Sequence, residues 1–151
     1  MEINVCSSKF HQIGPTLFTT IPFFGAVPAG FLSPAADYIE ESIDLNELLV
    51  KTPTATFFVR VEGESMINAF IPPKALLIID RSITPSSGDI IVAVVNGEFT
   101  VKRFIKTFNQ VYLAPANIKF NSIEINEEMD FKVWGVVSKI IIDPKDTPCS
   151  H

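Results

Sequence analysis

The chain has 151 residues and a hydrophobic fraction of 47%, which suits one compact domain with a sizeable buried core. Its formal net charge of −5 is unfavourable for contacts with phosphates, so we expect no direct nucleic-acid binding. No apolar run approaches the roughly 18 uninterrupted residues of a membrane helix, and the amino terminus lacks the basic start of a signal peptide, so we expect a cytoplasmic protein without membrane contact.

Cysteine and histidine are scarce and lie near the chain ends, at Cys6, His11, Cys149 and His151. Two distant cysteines are no disulfide framework. The histidines and cysteines give no metal-ligand cluster, and no Ser-His-Asp triad can be assembled from them. We therefore expect neither a metal nor another cofactor.

Residues 1 to about 36 predict an extended arm rather than a continuous helix. Prolines and glycines recur at short intervals between positions 15 and 34, which excludes a continuous helix. Phenylalanines and leucines are interleaved with them, which a disordered tail rarely carries. Such an arm either pads the fold or a subunit interface, or delivers a peptide bond to a site.

Two short helices are predicted in the residues that follow. Ser33 and Pro34 suit the N-cap and first position of a helix over residues 35–39. Asp44, with Glu47 three residues later, resembles a capping box for a helix over residues 45–50. A helix-turn-helix DNA reader needs more helical chain and a basic second helix, and neither is present.

From residue 55 onward the pattern predicts mostly antiparallel strands. Residues 57–62 alternate, with Phe57, Val59 and Val61 on one face. Further strands are expected at residues 75–79, 89–95, 98–105, 111–113 and 131–142. Asn96-Gly97 between two of them is a strong hairpin signal. The last strand is apolar on both faces, with Val133 and Val137 expected on the same one, so we expect a central position or a subunit contact.

The stretch Gly63-Glu64-Ser65-Met66 closes the first of these strands. Gly63 adopts backbone angles that other residues resist, so it suits a break that presents the next side chains. A serine at such a strand end has backbone N–H groups near its hydroxyl, as an acyl-transfer nucleophile requires. A turn serine that bonds its own backbone is the more common explanation of this pattern alone.

Lys102 lies on a predicted strand with Thr100 and Phe104 on the same face. By its pattern alone it is a solvent-exposed strand lysine, and nothing in the periodicity distinguishes it.

Four motifs occur along the chain: Gly63-Glu64-Ser65-Met66, Gly88-Asp89-Ile90, Gly97-Glu98-Phe99-Thr100-Val101-Lys102-Arg103 and, upstream, Ala29-Gly30-Phe31-x-Ser33-Pro34-Ala35-Ala36-Asp37-Tyr38. Their order resembles that in the LexA/UmuD family of self-cleaving serine peptidases. The resemblance covers most of the chain. Because the family's DNA-binding domain is missing and the arm is short, we expect the UmuD type rather than the LexA type.

The resemblance implies a mostly β fold, with an arm at residues 1–40 that contains a self-cleavage site and a peptidase domain at residues 41–151. It implies Ser65 as nucleophile, Lys102 as general base and cleavage between Ala29 and Gly30. The backbone N–H groups of Glu64 and Ser65 are then the candidate oxyanion donors. A lysine can accept a proton at neutral pH only if burial lowers its pKa, so we expect Lys102 to be desolvated.

The resemblance also implies partners. These are a second copy in a homodimer, a UmuC-type Y-family DNA polymerase that the trimmed chain joins for error-prone translesion synthesis, and a RecA filament on single-stranded DNA that stimulates cleavage in the SOS response. The 13 phenylalanines agree with apolar surface that a second subunit covers. Two alternatives stay open: a phage or plasmid regulator of the same fold, and a polymerase subunit that does not cleave itself.

Overall fold

The computed structural model describes residues 20–24, 29–30 and 40–146. These residues fall into two compact units that divide between Lys51 and Thr52. The predicted helix at residues 35–39 lies outside the described residues, and the predicted arm boundary after residue 40 stays a prediction.

The smaller unit contains a two-stranded antiparallel ribbon and a short helix. Strand β1 (Thr20–Phe24) pairs with β2 (Glu40–Asp44), with Thr20 opposite Asp44. Helix α1 (Leu45–Leu49) follows at once, and the side chain of Asp44 accepts the Asn46 N–H at 2.7 Å. The predicted helix and its Asp44 N-cap are therefore confirmed, although the helix ends one residue early and the cap bond is to the second helical residue. The Glu47 half of the capping box stays a prediction. The pairing of β1 with β2 was not predicted.

The larger unit is built on one seven-stranded sheet, which confirms the mostly β class. Its strands lie in the order β3-β4-β9-β5-β6-β7-β8, and every neighbouring pair is antiparallel. The strands are β3 (Thr56–Arg60), β4 (Leu76–Asp80), β5 (Ile90–Val95), β6 (Glu98–Lys106), β7 (Val111–Ala114), β8 (Ile123–Ile125) and β9 (Phe131–Ile141). All but β8 were predicted.

The hairpin of β5 and β6 sets the register of β6, the strand that carries Lys102. Asn96 and Gly97 have φ angles of 51° and 84°, so both turn residues are left-handed, as a type I′ turn requires. Val95 consequently lies opposite Glu98, and Ile91 opposite Lys102. The Asn-Gly prediction is confirmed.

Strand β9 lies in the middle of the sheet and serves two apolar clusters, one on each face. The first cluster is built on Val59, Val61, Met66, Ala69, Ile71, Ala75, Leu77, Ile79, Val92 and Val101. The second is built on Ile91, Ala93, Phe104, Leu113 and Val136. The predicted central position of this strand is thus confirmed.

The predicted faces of β9 were wrong because two bulges interrupt its alternation. The pairing shifts register between Val92 and Ala93 of β5, and between Ile78 and Ile79 of β4. Each extra residue moves the following side chains to the opposite face. Val133 therefore packs against the second cluster and Val137 against the first, although both were expected on one face.

Candidate active site

Ser65 lies in a loop that is anchored in the first apolar cluster. Beyond β3 the chain still pairs with its neighbour, since Val61 N–H donates to Ala75 O at 2.9 Å. Gly63 then turns the backbone with φ at 88°, a value that favours glycine. Ser65 follows with 1% of its surface exposed, and Met66 beside it is equally buried. The serine is therefore held by core packing, as a pre-organised nucleophile must be.

Three hydrogen bonds tie this loop to residues 116 and 117. The Ala116 N–H donates to Ser65 O at 2.8 Å, and Asn117 Nδ2 donates to Glu64 O at 2.9 Å. In return, Asn68 N–H donates to Ala116 O at 2.9 Å. Both carbonyls next to the serine are thus fixed from one neighbouring segment.

Lys102 lies on β6 and has only 6% of its surface exposed. Its interpretation as a solvent-exposed strand lysine is therefore wrong. Lys102 is paired with buried Ile91 on β5, and Phe104 on the same side of β6 is also buried. The sheet and the serine loop cover the side chain, and strand periodicity carries no information about such a distant loop.

The two side chains meet directly. Lys102 Nζ lies 2.9 Å from Ser65 Oγ, 3.1 Å from Thr100 Oγ1 and 3.1 Å from Val101 O. A neutral amine has two N–H donors and one lone pair. Val101 O can only accept and Thr100 Oγ1 is able to accept, so the lone pair is left for the Ser65 hydroxyl proton. The contacts suit the removal of that proton by the lysine.

The electrostatic setting favours the neutral amine. Burial lowers the pKa of Lys102 below its ordinary value of 10.5, because the charged form loses hydration. Among the described residues, Lys102 has no ion-pair partner that would oppose this effect. The other buried charge in that part of the chain, Asp80, is bound by Ser82 Oγ at 2.5 Å, and this bond lowers the pKa of Asp80. The predicted direction for Lys102 is confirmed.

A cleft of about 360 Å³ opens onto Ser65 and Lys102. Its apolar lining comes from Val95, Phe99, Phe120 and Ile123, and Asn96, Glu98 and Asn121 add polar groups. Such a cleft suits an extended peptide with small or apolar side chains.

Several predicted site features stay predictions. Ala29 and Gly30 are both exposed and belong to the smaller unit. The roles of Ser65, Lys102 and the N–H groups of Glu64 and Ser65 are those that the family resemblance implies, and they stay predictions. Sequence reasoning missed Thr100 and Asn117 as site residues, although Thr100 was placed on the face of Lys102.

Two other features are absent from residues 20–24, 29–30 and 40–146. No group of three or more metal-ligating side chains occurs there. None of the helices within these ranges is long and apolar enough to cross a membrane.

Comparison with known proteins gives a consistent picture. The family model described as Peptidase S24-like matches residues 22–138. The chain is 39% identical to Protein SamA of Salmonella typhimurium over 130 residues, which cover 85% of this chain and 90% of that protein. It is 38% identical to Protein MucA of Escherichia coli over 136 residues, or 89% and 92% of the two chains. It is also 35% identical to the LexA repressor of Desulfatibacillum aliphaticivorans over 123 residues, or 80% of this chain and 60% of the repressor.

Proposed function

The chain belongs to the Peptidase S24-like family of self-cleaving serine peptidases, as a UmuD-like member, and on that premise we propose that Ser65 and Lys102 form a dyad that cuts the Ala29–Gly30 bond of the chain itself. The observation that carries the proposal is the 2.9 Å contact between Lys102 Nζ and Ser65 Oγ in a buried setting.

The chemistry follows from the two side chains. Neutral Lys102 takes the proton of Ser65 while Ser65 Oγ attacks the carbonyl carbon of Ala29. The resulting oxyanion is stabilised by the backbone N–H groups of Ser65 and Glu64. Lys102 then gives the proton to the Gly30 nitrogen as the peptide bond breaks. Water, activated by the same amine, hydrolyses the ester between Ser65 and Ala29.

The products are residues 1–29 and 30–151, so each chain is cut once. The substrate is tethered to the enzyme, which replaces a bimolecular encounter with an intramolecular one. The small side chains of Ala29 and Gly30 suit a close approach to the serine.

We place the trimmed product in the SOS response, where it joins a UmuC-type Y-family polymerase for translesion synthesis. A RecA filament on single-stranded DNA is the stimulus of cleavage, and the cytoplasm is the compartment. The similarity to SamA and MucA supports this assignment. The working form is a homodimer, an inference that the exposed Phe70, Phe108 and Ile118 support.

Mass spectrometry of the purified full chain, incubated at mildly alkaline pH, tests the proposal. We expect a fragment that begins at Gly30, and we expect Ser65→Ala to abolish it without unfolding the protein. Ser86→Ala, at an exposed serine outside the cleft, is the matched control and should cleave normally. A different new amino terminus, or normal cleavage by Ser65→Ala, would overturn the assignment. No cleavage of the unaltered chain would favour a non-cleaving polymerase subunit.

A further inference from the structure

One loop holds both peptide groups that flank Ser65. The carbonyl of the Ser65–Met66 peptide accepts the Ala116 N–H at 2.8 Å. The carbonyl of the Glu64–Ser65 peptide accepts Asn117 Nδ2 at 2.9 Å and the Ile67 N–H at 3.2 Å. Of these three donors, Asn117 supplies the only one from a side chain.

The orientation of the Asn117 amide is set by a second bond. Its Oδ1 accepts the Lys119 N–H at 3.0 Å, in the local turn that asparagine favours. An amide that accepts on its oxygen must present its nitrogen on the other side. Asn117 Nδ2 is therefore directed at Glu64 O by the chain's own turn.

This bond acts on the site of the developing negative charge. A peptide group is planar and trans, so its C=O and its N–H point in opposite directions. Fixing the Glu64 carbonyl thus fixes the direction of the Ser65 N–H. We infer that Asn117 is a positioning residue for self-cleavage, which holds the Glu64–Ser65 peptide so that the Ser65 N–H stabilises the oxyanion. The inference rests on the proposed function.

The chain offers a closely matched control for this role. Asn126 forms the same local turn, since its Oδ1 accepts the Glu128 N–H at 3.1 Å, and it lies outside the cleft. Asn126 is exposed, whereas Asn117 is half-buried. Replacing either asparagine by alanine removes one local turn bond. Only Asn117→Ala also removes the shorter of the two hydrogen bonds to the Glu64 carbonyl, which then accepts from the Ile67 N–H alone.

The test compares self-cleavage rates of the full-length Asn117→Ala and Asn126→Ala proteins across pH. We expect Asn117→Ala to lower the plateau rate by about 10- to 100-fold, the range expected when an oxyanion donor is misdirected. The midpoint of the pH profile should stay the same, because the burial of Lys102 does not depend on this amide. Asn126→Ala should cleave at the unaltered rate.

A merely structural role gives a different result. If the loss of Asn117 loosened the serine loop, water would reach Lys102, and the midpoint would rise toward the ordinary lysine pKa. An unchanged plateau, or a midpoint shift that accounts for the whole loss, overturns the inference. Failure of the proposed function is distinguishable, because either Ser65→Ala would then still cleave or the unaltered chain would not cleave at all.

A readout without catalysis keeps the test decisive. In a Lys102→Ala background, the amide resonance of Ser65 in ¹H–¹⁵N spectra should shift with Asn117→Ala and stay in place with Asn126→Ala. If Asn117→Ala does not fold, Asn117→Asp preserves the turn bond to Lys119 and still lacks the donor. A Ser65 resonance that is unmoved in the folded Asn117 variant contradicts the inference.

Discussion

The rate of self-cleavage should depend on pH through one buried amine. Only the neutral form of Lys102 can accept the Ser65 proton. We expect the first-order rate to rise tenfold per pH unit, then to level off once the lowered pKa of Lys102 is passed. Lys102→Arg should be inactive at every accessible pH, because a guanidinium stays protonated although it preserves charge and much of the length.

The size of the effect follows from the proton equilibrium. A lysine with the ordinary pKa of 10.5 is neutral in about one molecule in 1,000 at pH 7.5. Each unit by which burial lowers the pKa raises this fraction about tenfold. Lys102 has no ion-pair partner among the described residues, so desolvation acts on its pKa without a compensating carboxylate.

The same burial makes a prediction about stability. Because the folded-state pKa of Lys102 lies below its unfolded value, the unfolded chain binds more protons between the two values. The free energy of unfolding therefore rises with pH in that window, by at most about 1.4 kcal/mol per pH unit. Lys102→Met, compared in a Ser65→Ala background, should be stabilising at neutral pH. Its advantage should shrink as pH approaches 10.5.

The assay for the pH dependence of self-cleavage is the appearance of the trimmed chain, which mass spectrometry detects in samples between pH 6 and about 10. Arg103→Ala is the control, since Arg103 follows Lys102 on β6 but donates to Gly88 O at 2.7 Å rather than to the serine. It should cleave normally. Normal cleavage by Lys102→Arg, or a rate that is flat across this pH range, would refute the role of Lys102 as base.

Three further predictions concern strand β9, Thr100 and the oligomeric state. Gly135→Ala should lower the free energy of unfolding by about 1–3 kcal/mol, because the new Cβ would collide with Ile79 Cγ2. Lys132→Ala, at an exposed position on the same strand, should change it by less than about 0.5 kcal/mol. Equal chemical denaturation midpoints for the two variants would contradict this prediction. Thr100→Val should slow self-cleavage about tenfold without moving the cut, since it removes the acceptor 3.1 Å from Lys102 Nζ, and an unchanged rate would exclude this role. Sedimentation at micromolar concentration should show two chains, and a clean monomer would count against the homodimer.

The sequence correctly predicted the turns, strands and helix that depend only on neighbouring residues. The Asn96-Gly97 turn needs only two residues that tolerate positive φ, and the alternation before it identified the strands. Helix α1 needs only the Asp44 cap. Strand β8 was missed because three residues are too few for a periodic pattern, and its place depends on pairing with β7.

The site depended on contacts between distant residues, which periodicity does not encode. Lys102 and Ser65 are 37 positions apart, and Asn117 and Glu64 are 53 apart. The alternation of β6 correctly placed Thr100, Lys102 and Phe104 on one face. It gave no indication that this face is covered, so the lysine was recognised by its motif alone.

A buried lysine and a buried serine are costly, and the fold offsets the cost by satisfying both. In the part of the chain that the structure describes, no buried side-chain nitrogen or oxygen lacks a hydrogen-bond partner. The serine loop contributes Met66, Ala69 and Ile71 to the first apolar cluster, so moving Ser65 would expose core surface. The lysine is held in a strand that is paired on both sides. The fold therefore holds Ser65 and Lys102 in fixed positions, as a pre-organised catalytic pair requires.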